Sequence, residues 1–457
     1  MNRRSFLLAG AASLAGVSTA TRSRRQDARP TPSAAQLAWQ RDELAMFLHF
    51  GVNTFTDREW GDGTEDPAVF APTQLDARQW ARTARAAGFR ALILTAKHHD
   101  GFCLWPTRTT RHSVAASPWR GGNGDVVREL VDACRAEGLG AGLYLSPWDR
   151  NHPAYGDSAR YNDVYADQLT ELLTRYGPIG EVWFDGANGE GPNGRRQVYD
   201  WPRVFALVRR LQPNAVVFSD AGPDVRWCGN EHGSAGDPNW STVDPGVVPY
   251  PGADGPGVTA ALQHGDPAGR IWRPAECDVS IRKGWFHHPA EDGAVRGVDD
   301  LVALYDSSVG RNAKLLLNVP PTRAGLLHAT DVARLTGFRA RLDASFAAPL
   351  EPGDAHTSWR RVWQATGART AVGEWDFGRV LPASIARLEE DVARGQRVAR
   401  YTLYGADAGD WQVLARGTTI GHAKIDRFPT VGVRRVRVTI EDAIAPPEPV
   451  MVRLFRE

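Results

Sequence analysis

The 457-residue sequence predicts an α/β fold, a (β/α)8-like TIM barrel followed by a C-terminal β-sandwich. Three observations carry this. From about residue 45 to 345, short apolar runs alternate with amphipathic helical stretches, the rhythm of parallel strands joined by crossover helices. Several of the apolar runs end in polar residues, at His49, Lys97-His98-His99-Asp100, Asp185 and Ser219-Asp220. Barrels gather their chemistry at such C-terminal strand ends. Beyond residue 350 the rhythm changes to short β segments between turn residues. A doubly wound sheet is the alternative, but no GxGxxG follows the first strand.

Residues 1–20 read as a signal peptide. Arg3-Arg4 precede Ser5-Phe6-Leu7-Leu8, an apolar run to Val17 and the small residues Ser18-Thr19-Ala20. The paired arginines favour a twin-arginine signal over an ordinary secretory one, hence a periplasmic or secreted bacterial protein. Residues 21–35, rich in Arg, Ser, Pro and Ala, read as a disordered linker. The barrel is expected over 36–348. Its strands are predicted at 46–52, 91–96, 141–145, 181–185, 215–219 and 314–319. Its helices are predicted at 75–87, 125–137, 161–176, 201–211, 301–309 and near 327–345. Gly88, Gly138 and Gly177 stop three of these helices. Residues 232–272, rich in Gly, Pro and Asp, read as one long functional loop. The sandwich is expected over 349–457, with strands at 361–364, 399–404, 411–415 and 433–440, and with Trp359, Trp363, Trp375 and Trp411 as its core.

Composition narrows the partners. Lys+Arg 54 against Asp+Glu 53 leaves a net charge of +1, without the basic surplus that nucleic acid requires. No apolar stretch is long enough for a membrane span. The four cysteines form no CxxC pair, so neither a zinc site nor a structural disulfide is expected. No cofactor is implied. Sixteen tryptophans are many for this length, and indole faces stack on sugars as well as filling cores.

Two carboxylates stand out. Asp185 closes the apolar strand EVWFDG (181–186), and Glu231 ends RWCGNE (226–231). Their spacing of 46 residues suits neighbouring strand ends. Glycoside hydrolysis needs two carboxyls facing each other across a sugar. His49, His98 and His99 end two strands, where neutral imidazoles would bond the hydroxyls of an uncharged ligand. His98, His99 and Asp100 as a metal centre are the competing reading, weakened because adjacent strand residues point to opposite sides. Glu59-Trp60, Trp105, Tyr144, Trp148 and Trp285 lie around them.

In series, FLHFG (47–51), EW (59–60), KHHDGF (97–102), WFDG (183–186), AECDVSIRKGW (275–285) and SVGRNAKLLLNVP (308–320) resemble glycoside hydrolase family 29, the α-L-fucosidases. The resemblance implies Asp185 as nucleophile and His49, Glu59, Trp60, His98, His99, Tyr144 and Trp285 as fucose-binding residues. RWCGNE resembles the subgroup acting on branched α-1,3/1,4-linked fucose, which implies Glu231 as acid/base, with Glu276 as its rival. The implied substrate is a fucosylated oligosaccharide or glycoconjugate of Lewis type. A broad-specificity fucosidase and a non-catalytic fucose-binding lectin on the same scaffold are the alternatives.

Overall fold

The computed structural model describes residues 29–346, 348–350 and 362–457. The signal peptide, and the linker up to residue 28, lie outside the described residues. Residues 29–35 are not a free linker. Ser33 caps helix Ala34–Asp42 through a capping box with Gln36. Arg29 donates to Gln396 O, Pro267 O and Thr242 Oγ1, pinning the entering chain between the two halves of the molecule.

Eight parallel strands form the barrel: β1 (Leu44–Leu48), β2 (Ala91–Lys97), β3 (Gly140–Leu145), β4 (Glu181–Trp183), β5 (Val216–Phe218), β6 (Arg226–Trp227), β9 (Ala275–Ser280) and β10 (Ala313–Asn318). A short antiparallel pair, β7 (Thr242–Val243) and β8 (Ile271–Trp272), interrupts the series. The sheet runs β5-β4-β3-β2-β1-β10-β9-β6, and a parallel bridge from Phe218 to Val225 brings its edges together. Seven crossover residues without a helix link β5 to β6, where the helical rhythm predicted for the barrel fails.

Alternation along each strand sorts the side chains. Leu44, Met46 and Leu48 face the surrounding helices, as do Leu92, Leu94, Leu315 and Leu317. Ala45, Phe47, Ile93, Tyr144, Trp183, Val216, Phe218 and Leu316 fill the barrel. Helix Val126–Glu137 shows why the flanking elements form. Asp125 accepts from Arg128 N at its start, and Val127, Leu130, Val131 and Cys134 make its buried stripe. Gly138 then stops it at φ 68°, a left-handed conformation that glycine adopts without strain.

The barrel interior also holds charge. Trp39 Nε1 donates to Glu181 (3.0 Å), Trp183 Nε1 donates to Glu276 (3.0 Å), and Lys314 Nζ lies 3.8 Å from Glu181. One oxygen of each carboxyl, Glu181 Oε1 and Glu276 Oε2, is buried without a hydrogen-bond partner. Burial raises both, Glu276 well above the usual range because the Glu181 charge adds to it. Lys314 stands as the counter-charge, over the ring of Trp39 at 4.7 Å.

Other expectations change as well. The first strand ends at Leu48, and residues 52–56 form a short helix. The segment 232–272 is not one irregular loop: it contains helix Pro256–His264 and the β7–β8 pair. Trp105 is core, fully buried and donating to Glu171 at 2.8 Å. All four cysteines are buried free thiols.

The C-terminal unit is a six-stranded antiparallel sheet of β11 (Val362–Ala365), β12 (Ala371–Glu389), β13 (Val398–Ala406), β14 (Gln412–Gly417), β15 (Lys424–Ala443) and β16 (Met451–Phe455). Register breaks at Asp376/Leu381 and Ala383/Ile385 interrupt its longest ladder. Trp375 is in its core and Trp363 packs against it. Trp411 instead lies under the guanidinium groups of Arg435 and Arg437, 5.0 and 4.2 Å from its ring. Trp359 lies outside the described residues.

A polar seam joins the units. Asn239, Asn312 and Gln396 exchange hydrogen bonds, Lys424 pairs with Asp237 (2.7 Å), and Glu43 pairs with Arg387 (2.5 Å). Burial alone would raise the Glu43 carboxyl. The His422 ring, 3.4 Å away, and the Arg387 guanidinium outweigh it and hold the group at about 2. The folded value lies below the unfolded one, so the pair stabilises above the ordinary carboxylate pKa and is lost as pH falls towards 2. Glu43→Gln is expected to destabilise the protein by roughly 2 kcal/mol at neutral pH. Chemical denaturation at neutral and acid pH checks this: the difference from the parent should shrink in acid.

Candidate active site

A cavity of 630 Å³ opens at the C-terminal ends of the barrel strands. Asp185, just past β4, lies in its wall. Tyr144 OH donates to Asp185 Oδ2 (3.0 Å) and Ala187 N to Oδ1 (2.7 Å), so both oxygens accept, the pattern of a carboxylate. The Tyr144 phenol is buried beside this acid and holds its proton well above the ordinary tyrosine value. Glu231 lines the same cavity at its solvent-facing side. The cavity wall desolvates its carboxyl and raises its pKa; Trp285 bonds to it and opposes the rise, while the Asp185 and Glu59 charges add to it. The two carboxylates come from β4 and from just beyond β6, with β5 between them, so the strand ends are not neighbours as their sequence spacing suggested. Glu276 does not line the cavity. It sits one layer lower, fully buried beneath Trp183.

The three histidines converge. β2 ends at Lys97 after a register break, and Lys97 turns outward to Asp149 (3.0 Å), Tyr161 (2.9 Å) and Gln168 (2.9 Å). His98 and His99 follow in a turn rather than on the strand, so both line the cavity, with ring centroids 4.1 Å apart. The opposite-sides argument therefore does not apply to them. Ser146 donates to Trp148 O (2.8 Å), leaving its oxygen to accept from His99 Nδ1 (2.7 Å). Asn318 Oδ1 accepts from His49 Nδ1 (2.9 Å). In both rings the proton is thus committed to Nδ1 and Nε2 remains an acceptor. Burial lowers all three histidines, His49 to about 3, so they are neutral near pH 7. Among the described residues no group of three or more His, Cys, Asp or Glu is arranged to hold a metal ion. Asp100 accepts from Phe102 N (2.7 Å), and burial pushes its carboxyl up to about 7.

Aromatic walls complete the site. Trp60 is 58% exposed and meets His99 and Trp148 edge-on, both at 5.8 Å. Trp285 packs against His49 at 5.0 Å. Glu59 lines the cavity, but its carboxylate is already engaged: it accepts from Trp285 N (2.5 Å) and Phe286 N (3.3 Å). It therefore holds the loop that carries Trp285.

Sequence reasoning assigned no site role to Asp220, Trp227, Asp278 or Asn318. Asp278 accepts from Trp227 Nε1 (2.7 Å), and burial with the Glu231 charge pushes it up to about 8. Burial likewise raises Asp220 to about 6, against a bond from Gly252 N. A period-2 count from Glu276 would have found Asp278, which shares its face of β9. Gly252 and Ala253 reach the cavity from the 232–272 segment by a fold that no local pattern announces.

Comparisons with known proteins agree with this architecture. The Alpha-L-fucosidase family profile matches residues 15–343. A rice chain (Oryza sativa subsp. japonica) is 45% identical over 440 residues, 92% of this chain and 83% of its own. Alpha-L-fucosidase 1 of Arabidopsis thaliana is 42% identical over 443 residues, covering 92% and 86%. The solved structure of SpGH29 superposes with a TM-score of 0.86 at 38% identity, covering 94% of this chain and 98% of that one. A GH29 fucosidase of Ruminococcus gnavus in complex with fucose gives 0.81 at 29% identity, covering 94% and 96%. The chain belongs to the α-L-fucosidases of glycoside hydrolase family 29.

Proposed function

We propose that this α-L-fucosidase is a retaining exo-enzyme that removes terminal α-1,3/1,4-linked L-fucose from branched, Lewis-type glycans through a covalent fucosyl-Asp185 intermediate. The observation that carries the proposal is that Asp185 and Glu231 share one cavity in contrasting surroundings. Asp185 accepts two hydrogen bonds, whereas the setting of Glu231 favours its protonated form. Asp185 attacks the anomeric carbon as Glu231 protonates the departing glycosidic oxygen. The same Glu231 then takes a proton from water, which displaces Asp185 and releases fucose with net retention. His49 and His99 present Nε2 acceptors to sugar hydroxyls, while Trp285 and Trp60 offer apolar faces to the C5 methyl side. The likeness to a fucosidase solved with fucose bound supports fucose as the occupant. The RWCGNE segment supports the branched linkage. The export signal read in residues 1–20 belongs to the same proposal, and sequencing the N-terminus of the exported protein tests it.

Asp185→Ala is expected to lower aryl fucoside turnover at least about a thousandfold. Azide rescue of it should give a fucosyl azide of inverted configuration. Azide rescue of Glu231→Ala should give the retained product. Glu276→Gln replaces a buried protonated carboxyl by its neutral isostere, so turnover within about tenfold of the parent is expected. Retained-configuration rescue at Glu276 instead would transfer the acid/base role to it.

Linkage is tested separately with a Lewis trisaccharide, 2′-fucosyllactose and an aryl fucoside. Preference for the trisaccharide is expected, and preference for the α-1,2 linkage contradicts the subgroup. No turnover of any of the three would favour the lectin reading.

A further inference from the structure

His288 has a carboxylate oxygen on each ring nitrogen. Nδ1 lies 2.9 Å from Asp57 Oδ1 and Nε2 lies 3.0 Å from Glu59 Oε2. A neutral imidazole has one N–H, so one nitrogen lone pair would face a carboxylate at hydrogen-bond distance. Only the imidazolium donates to both. Its side chain is 17% exposed, sheltered enough for the contacts to act and open enough for the proton to exchange.

The clamp links two walls of the cavity. Asp57 and Glu59 belong to the segment that carries Trp60. His288 belongs to the loop that carries Trp285. The Glu59 carboxylate that His288 holds is the one that accepts from Trp285 N and Phe286 N. Packing leaves little slack: a Cβ on Gly284 would lie 2.7 Å from Glu59 Oε2 and 3.0 Å from His288 Cδ2. We infer that His288 is a positioning residue of the fucosidase site: as an imidazolium between Asp57 and Glu59 it fixes the Glu59 carboxylate and, through it, the seat of Trp285 against the sugar. The inference rests on the fucose-site reading given above.

The charges that face His288 agree with this. Asp57 and Glu59 approach from one segment and Glu291 from the 289–291 turn, while His287 turns away to Asp292. Burial disfavours the charged ring, but the bonds to Glu59 and Asp57, with the Glu59 and Glu291 charges, outweigh it and raise its pKa. A raised value means the clamp holds through neutral pH and opens as pH rises through it.

The test uses the full-length enzyme with 15N-labelled histidine. His288 ring signals, assigned by their loss in His288→Gln, should show two protonated nitrogens at neutral pH and titrate above the ordinary imidazole value. For an aryl fucoside, His288→Gln is expected to raise KM about tenfold with kcat within about twofold. Its KM should no longer climb in the alkaline range. His288→Arg, which keeps the charge, should keep KM near the parent and also lose the alkaline climb. A ring that titrates at or below the ordinary value overturns the inference. So does a His288→Gln enzyme with unchanged KM and unchanged pH profile. A ring that titrates high in a protein that turns over no fucoside overturns instead the fucose-site reading, and the positioning role with it.

Discussion

Asn318 uses all four of its hydrogen-bonding positions on the barrel rim. Its oxygen accepts from the backbone N–H and the Nδ1 of His49, and its amide nitrogen donates to Ser280 Oγ and Trp285 O. One side chain at the end of the last strand thereby joins the first strand, the strand before it and the loop that carries the main aromatic wall. It also decides the histidine chemistry. Because its oxygen takes the Nδ1 proton, His49 turns a bare Nε2 to the cavity, and burial keeps that nitrogen from charging. A buried amide with every position satisfied is costly to rearrange, which ties these three elements of the rim together.

A gradient of solvation runs along the barrel axis. At the lower layer Glu181, Glu276 and Lys314 are sealed in, with the Lys314 charge opposing the rise that burial imposes on the two acids. Trp183 separates that layer from the cavity, stacked on Phe218 at 4.1 Å. Above it, Asp278 and Asp220 are partly neutralised by burial. Only at the opening does Glu231 reach solvent. The same residue type thus serves as core, as neutral wall and as exchangeable acid according to depth.

That gradient explains what the sequence could and could not show. The barrel strands are apolar runs that end in polar residues, and the family motifs follow them in order, so the fold and nine of the nineteen cavity-lining residues are legible. Depth was not. Glu276, Asp278 and Ser280 share one face of β9, and no local pattern says which of them clears the barrel floor. Glu276 is a rival to Glu231 because it too sits in a family motif, and its depth below Trp183 is a property of the fold. Strand geometry continued past Lys97 puts His98 and His99 on opposite sides, but the strand ends there after a register break. The Gly- and Pro-rich 232–272 segment hid a helix because its buried face is a single residue, Leu262. Ser33 reads as linker because a capping box signals a helix start only where an apolar stripe follows, and Ala34–Asp42 buries Gln36, Trp39 and Gln40 instead.

The glycine that follows Asp185 has a consequence for how the enzyme can diversify. A Cβ at Gly186 would lie 2.4 Å from Asp220 Oδ2 and 2.7 Å from Gly252 N, and one at Gly252 would strike the Gly186 carbonyl. Two backbones from distant parts of the chain thus touch directly beside Asp185. Evolution or engineering of the surrounding loop is free to change the exposed Tyr250 or the neighbouring side chains. Its main-chain course is tied to the Asp185 segment at that point, so change in this wall of the cavity must be written in side chains, and not in loop length.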